Sequence, residues 1–428
     1  TKVYPKIVAS TATVRRAEDQ VRALFNRSTV EVFPPPGLDR RFSFFAETEP
    51  PSKTPARLYL GIAAQGRSLK VVLLKAYLAL MAAAQKAYLA EGGARNKENP
   101  ADPYMTLVGY FNSLRELGGS RRIIEDEVKN RLMAYGSRKR VGEEEGLFAT
   151  REIKYDVVEL TSRVSTDMVA EAKRALAQPF HEKSHVDVAI ATNMISVGLD
   201  ITRLGLMVVL GQPKSSAEYI QATSRVGRDP ERPGLVVTLL NVHRPRDRSH
   251  YERFSCFHES FYRSVEATSV TPFSPRALDK GLAGTVVALA RQGWDAMTPP
   301  EGAEEILSER SHLEFVVDCL SERARSHRRM TEEEAESCRK QVKDRVLDLL
   351  DTWSWIADDY LKDGAHLQYQ AEVSGRGQRL LHDFLDPELK KKNQRHKKFR
   401  ANRSLRDVEP SVNLWMRTMD EPDMEEEG

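Results

Sequence analysis

VDVAIATNMISVGLDITRLGLMVVLGQPKSSAEYIQATSRVGRDPERPGLVVTLL, running from Val186 to Leu240, holds three short apolar runs: Val188–Ala191, Leu206–Leu210 and Leu235–Leu240. Each is rich in aliphatic residues and bounded by Gly, Pro or charged residues, which predicts buried strands of a parallel sheet. Between the second and third runs the pattern predicts a helix from Ala217 to about Val226. Ser215 or Ser216 can cap its start, and Glu218 places a carboxylate in its first turn. Strand, helix, strand is the βαβ unit of an α/β fold. Arg225 and Arg228 stand three apart at the end of this helix, with Gly227 between them, so one helical side is expected to carry both. Two forked, permanently charged guanidiniums aimed one way suit a polyphosphate. The alternative is a pair of surface salt bridges with neighbours such as Asp229 and Glu231.

These segments resemble superfamily 2 nucleic-acid helicases. The run Ala191-Thr192-Asn193-Met194-Ile195-Ser196-Val197-Gly198-Leu199-Asp200-Ile201 is similar to their motif V, and Gln221-Ala222-Thr223-Ser224-Arg225-Val226-Gly227-Arg228 to their motif VI. The resemblance implies a RecA-like sheet flanked by helices. It implies that Arg225 and Arg228 are arginine fingers for the γ-phosphate of ATP, with Gln221 opening the motif. Asp200 would meet the ATP ribose, Gly198 would let the backbone turn beside it, and Thr192 would touch a phosphate of the bound strand. Ala222 and Ser224 depart from the usual Arg and Gly of motif VI, and Asn193 stands where many relatives have Asp. Both fingers remain.

At 428 residues the chain has room for two or three domains. The net charge of +3 is small, so a nucleic-acid surface must be a local patch. Cys256, Cys319 and Cys338 match no metal spacing and suggest a reducing compartment, consistent with a bacterial cytoplasm. No metal site is expected in the chain. The longest apolar segment, Leu69 to Leu89, is interrupted by Lys70, Lys75, Gln85 and Lys86, so it reads as a buried helix.

Upstream, Lys6 to Ser10 is expected to be a strand and Val14 to Phe25 a helix. The intervening Thr11-Ala12-Thr13 resembles helicase motif III, which couples the ATP site to the nucleic-acid site; alternatively Thr13 is an ordinary helix cap. Residues 1–28 would then close a first RecA-like domain. The Pro-rich segment 29–56 reads as an interdomain connector, and 57–244 as the second RecA-like domain. Met105 to Phe111 is expected to be a buried strand leading into Asn112 and Ser113, which resemble motif IV. These two can bind a phosphate at a helix start or simply cap it. After a strand at Val157–Leu160, Thr161 and Ser162 match the family element whose hydroxyls contact one strand's backbone.

Beyond residue 244 the pattern becomes helical, and 245–388 reads as a helical accessory domain. Thr331-Glu332-Glu333-Glu334 is a capping box, and Val342, Val346, Leu349, Leu350 and Trp353 share one face of the helix it opens. Residues 389–428 form a basic, then acidic tail. Lys390 to Arg406 holds nine Lys or Arg and no acid, and is expected either to lie along a phosphate backbone or to be a solvated linker. The segment 404–414, the long insertion before motif IV and the motif VI variant resemble the DrmA family of DISARM anti-phage helicases.

No G-x-x-x-x-G-K-[ST] phosphate loop and no strand-borne Asp-Glu box occurs in the sequence. The chain alone is therefore expected to be inactive as an ATPase. The resemblance implies ATP, Mg2+ held outside this sequence, a first RecA-like domain bearing the phosphate loop, DNA gripped by its backbone, and a DISARM partner protein such as DrmB. A different class remains open: a non-hydrolysing DNA-binding or scaffold subunit that keeps the fold for docking.

Overall fold

A computed structural model describes residues 5–35, 38, 39, 41–55, 57–63, 65–154, 156–161, 164, 166–193, 200–267, 270–370, 377–384 and 386–401, the side chains of 166, 167, 387 and 390 excepted. Helix α1 (Ala17–Phe25) precedes strand β1 (Leu58–Ala63) and helix α2 (Leu69–Ala90). Strand β2 (Leu107–Phe111) feeds α3 (Leu114–Arg122), which runs on through a wider turn, Ile123–Val128, into α4 (Lys129–Leu132). Then follow β3 (Val158–Leu160), α5 (Thr166–Ala177), β4 (Val188–Ala191), β5 (Leu206–Leu210), α6 (Ser216–Thr223) and β6 (Leu235–Leu240). The six strands form one wholly parallel sheet in the order β1-β6-β5-β2-β4-β3. This is the RecA-like sheet expected from the sequence, and the three runs that predicted it are its strands β4, β5 and β6.

Alternation along the strands explains why the runs are apolar throughout. Leu107, Phe111, Val188, Ile190, Leu206, Val208, Leu210, Val237 and Leu239 point to one face, where α2 and the α3–α4 rod cover them. Val108, Tyr110, Ala189, Ala191, Met207, Val209 and Val236 point to the other, under α5 and α6. Helix α2 has the length and apolarity of a membrane span, but Leu73, Tyr77, Leu78 and Met81 are spent against the sheet. Gly109 lets α2 lie this close, since a Cβ there would collide with the Tyr77 hydroxyl.

Helices α7 (Pro245–Glu252) and α8 (Phe254–Glu259) belong with the sheet by packing: Phe257 and Phe261 lie against its α6 face. Asp247, fully buried, accepts from the backbone N–H groups of Gln212 and Asn241 at the ends of β5 and β6, at 3.1 and 3.0 Å. Glu266 accepts from the N–H and hydroxyl of Ser216 at the start of α6. By packing, the sheet layer thus extends past the expected break at 244.

A second core is built by α9 (Pro275–Gly293), the short α10 (Ile306–Glu309), α11 (Glu314–Ser326) and α12 (Glu332–Lys362). The capping box at Thr331 forms as expected, with the Glu334 carboxylate returning to the Thr331 N–H. Trp353 is completely enclosed and donates its indole N–H to Ala303 O at 2.8 Å. A two-stranded parallel ribbon, β7 (His366–Gln368) with β8 (Gly377–Arg379), closes this unit.

Two expectations are corrected. Lys6 to Ser10 is extended but not a strand; among the described residues it has no ladder partner, and Val8 is open to solvent. A lone strand leaves its N–H and C=O groups unpaired, so no sheet edge means no strand. The described part of the basic segment is not a free solvated linker. It docks on α12: Phe399 is fully buried near Trp353, the Arg395 guanidinium lies over the Trp355 ring, and Lys398 pairs with Asp348 at 2.7 Å.

Candidate ATP-finger site

Helix α6 starts where expected. Ser215 caps it by accepting from Glu218 N at 3.1 Å. It stops earlier than the sequence suggested, at Thr223, with Ser224 as its C-cap. Arg225 and Arg228 therefore sit not on a helical side but on the loop beyond it. Four features fix that loop. Val226 is fully buried in the α6-side core. Gly227 takes φ 65°, the left-handed region where a side chain is strained. Its N–H donates to Leu204 O at 2.7 Å, and its backbone lies so close to that of Gly234 that a Cβ on either would overlap the other. Finally, Arg57, just ahead of β1, donates to Val226 O at 2.8 Å.

The reversal at Gly227 still brings the two arginines together. Arg228 donates from Nε to Ser224 O at 2.9 Å and pairs through its terminal nitrogen with Asp200. The Arg225 pKa is lowered, first by burial, then by the neighbouring Arg228 charge, and is partly restored by Asp200. Two cations and one carboxylate thus share a small volume. The salt bridge differs from the simple alternative, because Asp229 is taken by Arg232 at 3.2 Å. Gln221, exposed on α6, donates to the Thr13 hydroxyl at 3.0 Å, across 208 residues of chain. Thr11 in turn accepts from Thr13 N at 3.2 Å, and Ala12 is exposed between them. The segments resembling motifs III and VI are in contact.

The expected strand contacts fare differently. Ser113 is exposed and caps α3, accepting from Glu116 N at 3.2 Å. Asn112 instead clamps the strand ends, donating to Leu210 O and Gly211 O at 2.9 and 3.2 Å. Thr161 is fully buried and gives its hydroxyl to Glu159 at 2.6 Å. Thr192, 4% exposed, lies at the end of β4. As placed, Thr161 and Thr192 are buried at strand ends, and Asn112 is half-buried at the end of β2. Ser162 and Gly198, with most of the motif V-like run, lie outside the described residues, as does the segment 404–414.

Sequence reasoning missed Arg57 and Asp247. Arg57 was legible only as the first residue of the segment 57–244. Its role as brace follows from the β1–β6 pairing, which no local pattern reveals. Pro245 opens α7 and puts Asp247 in its first turn, where it faces two strand ends that no local pattern points to. His382, Asp386 and Glu388 form the one cluster with metal-ligand character among the described residues. Arg379 pairs with both carboxylates at 3.3 Å, so a guanidinium already supplies the positive charge there.

Residues 119–230 match the helicase conserved C-terminal domain. The DISARM protein DrmA of Bacillus paralicheniformis is 41% identical over 319 residues, covering 74% of this chain and 27% of that protein. The chain thus spans about a quarter of the length of that curated relative. Among solved structures, the DUF1998 helicase MrfA bound to DNA matches 51% of this chain and 24% of its own at 17% identity and a TM-score of 0.31. The Mycobacterium smegmatis helicase Lhr bound to ssDNA and AMP-PNP matches 62% and 29% at 13% identity and a TM-score of 0.33. These two likenesses are too distant to carry an argument. Over residues 119–230 the chain is thus similar to the helicase conserved C-terminal domain, and over 319 residues it is similar to the DISARM protein DrmA.

Proposed function

We propose that the chain is the finger-bearing part of an ATP-dependent DNA helicase or translocase of a bacterial DISARM-like anti-phage system, working in the cytoplasm. The observation that carries this reading is the loop at Gly227. It holds Arg225 and Arg228 within Coulomb range of one another, with Asp200 as their shared carboxylate. Two neighbouring guanidiniums beside Asp200 suit the oxygens of a phosphate. When ATP binds, Arg228 exchanges Asp200 for the γ-phosphate, and Asp200 is released toward the ribose. Gln221 opens this edge of the site, and Gly198 is proposed to turn the backbone beside it.

The described residues around the loop fit the triphosphate and not its metal, since Asp200 is already paired with Arg228. Mg2+ and the attacking water are proposed to belong to a first RecA-like domain that carries the phosphate loop. ATP supplies the phosphoryl group whose transfer drives motion. This chain's own part is to stabilise charge on that group through Arg225 and Arg228 and to report its presence through Gln221 and Thr13. Ser113 and Ser162 are proposed to meet the DNA backbone, and a DISARM partner such as DrmB to join the assembly.

The test is ATP turnover of the complete motor with and without duplex DNA, for the native protein and for Arg228→Ala. DNA-stimulated turnover that falls by on the order of 10³-fold in the variant supports the finger role. Turnover unchanged in the variant refutes it and leaves the scaffold reading.

A further inference from the structure

Away from the finger loop, an open cleft of about 520 Å3 lies between α1 and the turn that joins α11 to α12. Its charged lining is Arg22, Arg325, Arg328, Arg329, Glu322 and Glu332. Both acids are already neutralised: Glu332 by Arg325, and Glu322 by Arg339 at 2.7 Å. Arg22, Arg328 and Arg329 have no carboxylate within salt-bridge distance among the described residues. Three guanidiniums from two separate elements therefore line one cleft whose two carboxylates are already paired with other arginines.

The walls of the cleft are held in register by a buried contact. The Arg323 guanidinium reaches from α11 to α1, donating to Arg22 O at 3.2 Å and also to Ala23 O. Its second terminal nitrogen is buried without a hydrogen-bond partner. At its other end, the segment leading into α1 is bonded through Thr13 to Gln221 of the finger helix. The cleft is thus tied, through α1, to the loop proposed to sense ATP.

We propose that this cleft is a second DNA-backbone site, with Arg22, Arg328 and Arg329 as its phosphate ligands. The inference rests on the reading of the chain as part of a DNA motor, and adds a grip on the helical unit that no resemblance assigns. At about 520 Å3 and open to solvent, the cleft is larger than one phosphate ion needs. The lining holds no aromatic side chain to stack on a base, so the site grips the backbone whatever its sequence.

The experiment measures DNA affinity of the full-length protein by fluorescence anisotropy as salt is varied, for the native protein, Arg328→Gln/Arg329→Gln and Arg328→Lys/Arg329→Lys. Each lost phosphate contact lowers the log–log salt slope by about 0.9 for duplex or 0.7 for single strands. The expected result is a slope reduced by about 1.4–1.8 in the Gln pair and kept in the Lys pair. ATP turnover without DNA should be unchanged in both, which also reports that the fold is intact. A native protein that binds DNA, with the same slope in the Gln pair, overturns the cleft alone. Inorganic phosphate saturating the cleft with no change in DNA slope identifies a free-anion site and overturns it too. A native protein that binds no DNA overturns the cleft and the motor reading together.

Discussion

Two stretches of this chain are basic in sequence and opposite in use. The finger loop carries Arg225 and Arg228 around a left-handed glycine, beside a single shared carboxylate. The C-terminal stretch carries more charge, and its described part rests much of it on neighbouring rings and carboxylates. Arg395 covers Trp355, Lys392 reaches the Tyr360 hydroxyl at 2.7 Å, Arg400 lies over Phe384, and Lys398 is held by Asp348. The long alkyl stems of Lys and Arg pack on apolar surface while their heads find rings and carboxylates. Charge density along a sequence therefore says little about ligand binding. What matters is how folding places the charge: the described C-terminal stretch packs Arg395 and Lys398 against α12, whereas the loop beyond α6 gathers two guanidiniums around one glycine.

The sharpest way to break this contrast is to neutralise one cation in each stretch. In the complete motor, Arg225→Ala should lower ATP turnover by on the order of 10³-fold, while Arg395→Ala should leave it within a few-fold. Equal losses would erase the distinction. Phe399→Ala, inside the C-terminal stretch, should cost about 3–5 kcal/mol of stability, read from urea unfolding, because it opens a cavity beside Trp353. A neutral outcome would return the stretch to a loosely attached tail. Arg57→Ala should cost about 1.5–3 kcal/mol, by removing a charged donor from Val226 O. It should also slow turnover without altering the finger side chains themselves. The smallest effect belongs to Lys398→Gln. Its pair with Asp348 is largely exposed, so stability should change by about 0–1 kcal/mol and the salt slope of DNA binding should not move.

The sheet was legible because its strands are buried on both faces, which turns a three-dimensional fact into a one-dimensional run of aliphatic residues. Val188–Ala191, Leu206–Leu210 and Leu235–Leu240 needed no neighbours to be read. The capping box at Thr331 was legible for the same local reason. The site was legible in identity and less so in placement. The helicase resemblance named Arg225, Arg228, Asp200, Gln221 and Thr13, and the fold brings Asp200 to the two arginines and Gln221 to Thr13. Spacing could not say that α6 would end at Thr223, because the stop depends on Val226 finding a distant core and on Arg57 arriving from 169 residues away. Hydroxyl motifs were the weakest signal. Thr161 and Ser113 have the same chemistry in sequence, and only packing buries one and exposes the other.

The back-to-back backbones of Gly227 and Gly234 carry a consequence for how this site tolerates change. Every other amino acid brings at least a Cβ, so neither position offers a conservative step; alanine is already too large. Arg57, Ser224 and Gln221 can be altered by degrees, but this contact admits only presence or absence. In a saturation library the two glycines should behave as all-or-none positions, depleted in every variant and correlated with one another. The fragility of the site then resides in main chain that touches no ligand, and the charges that advertise it depend on the two smallest residues nearby.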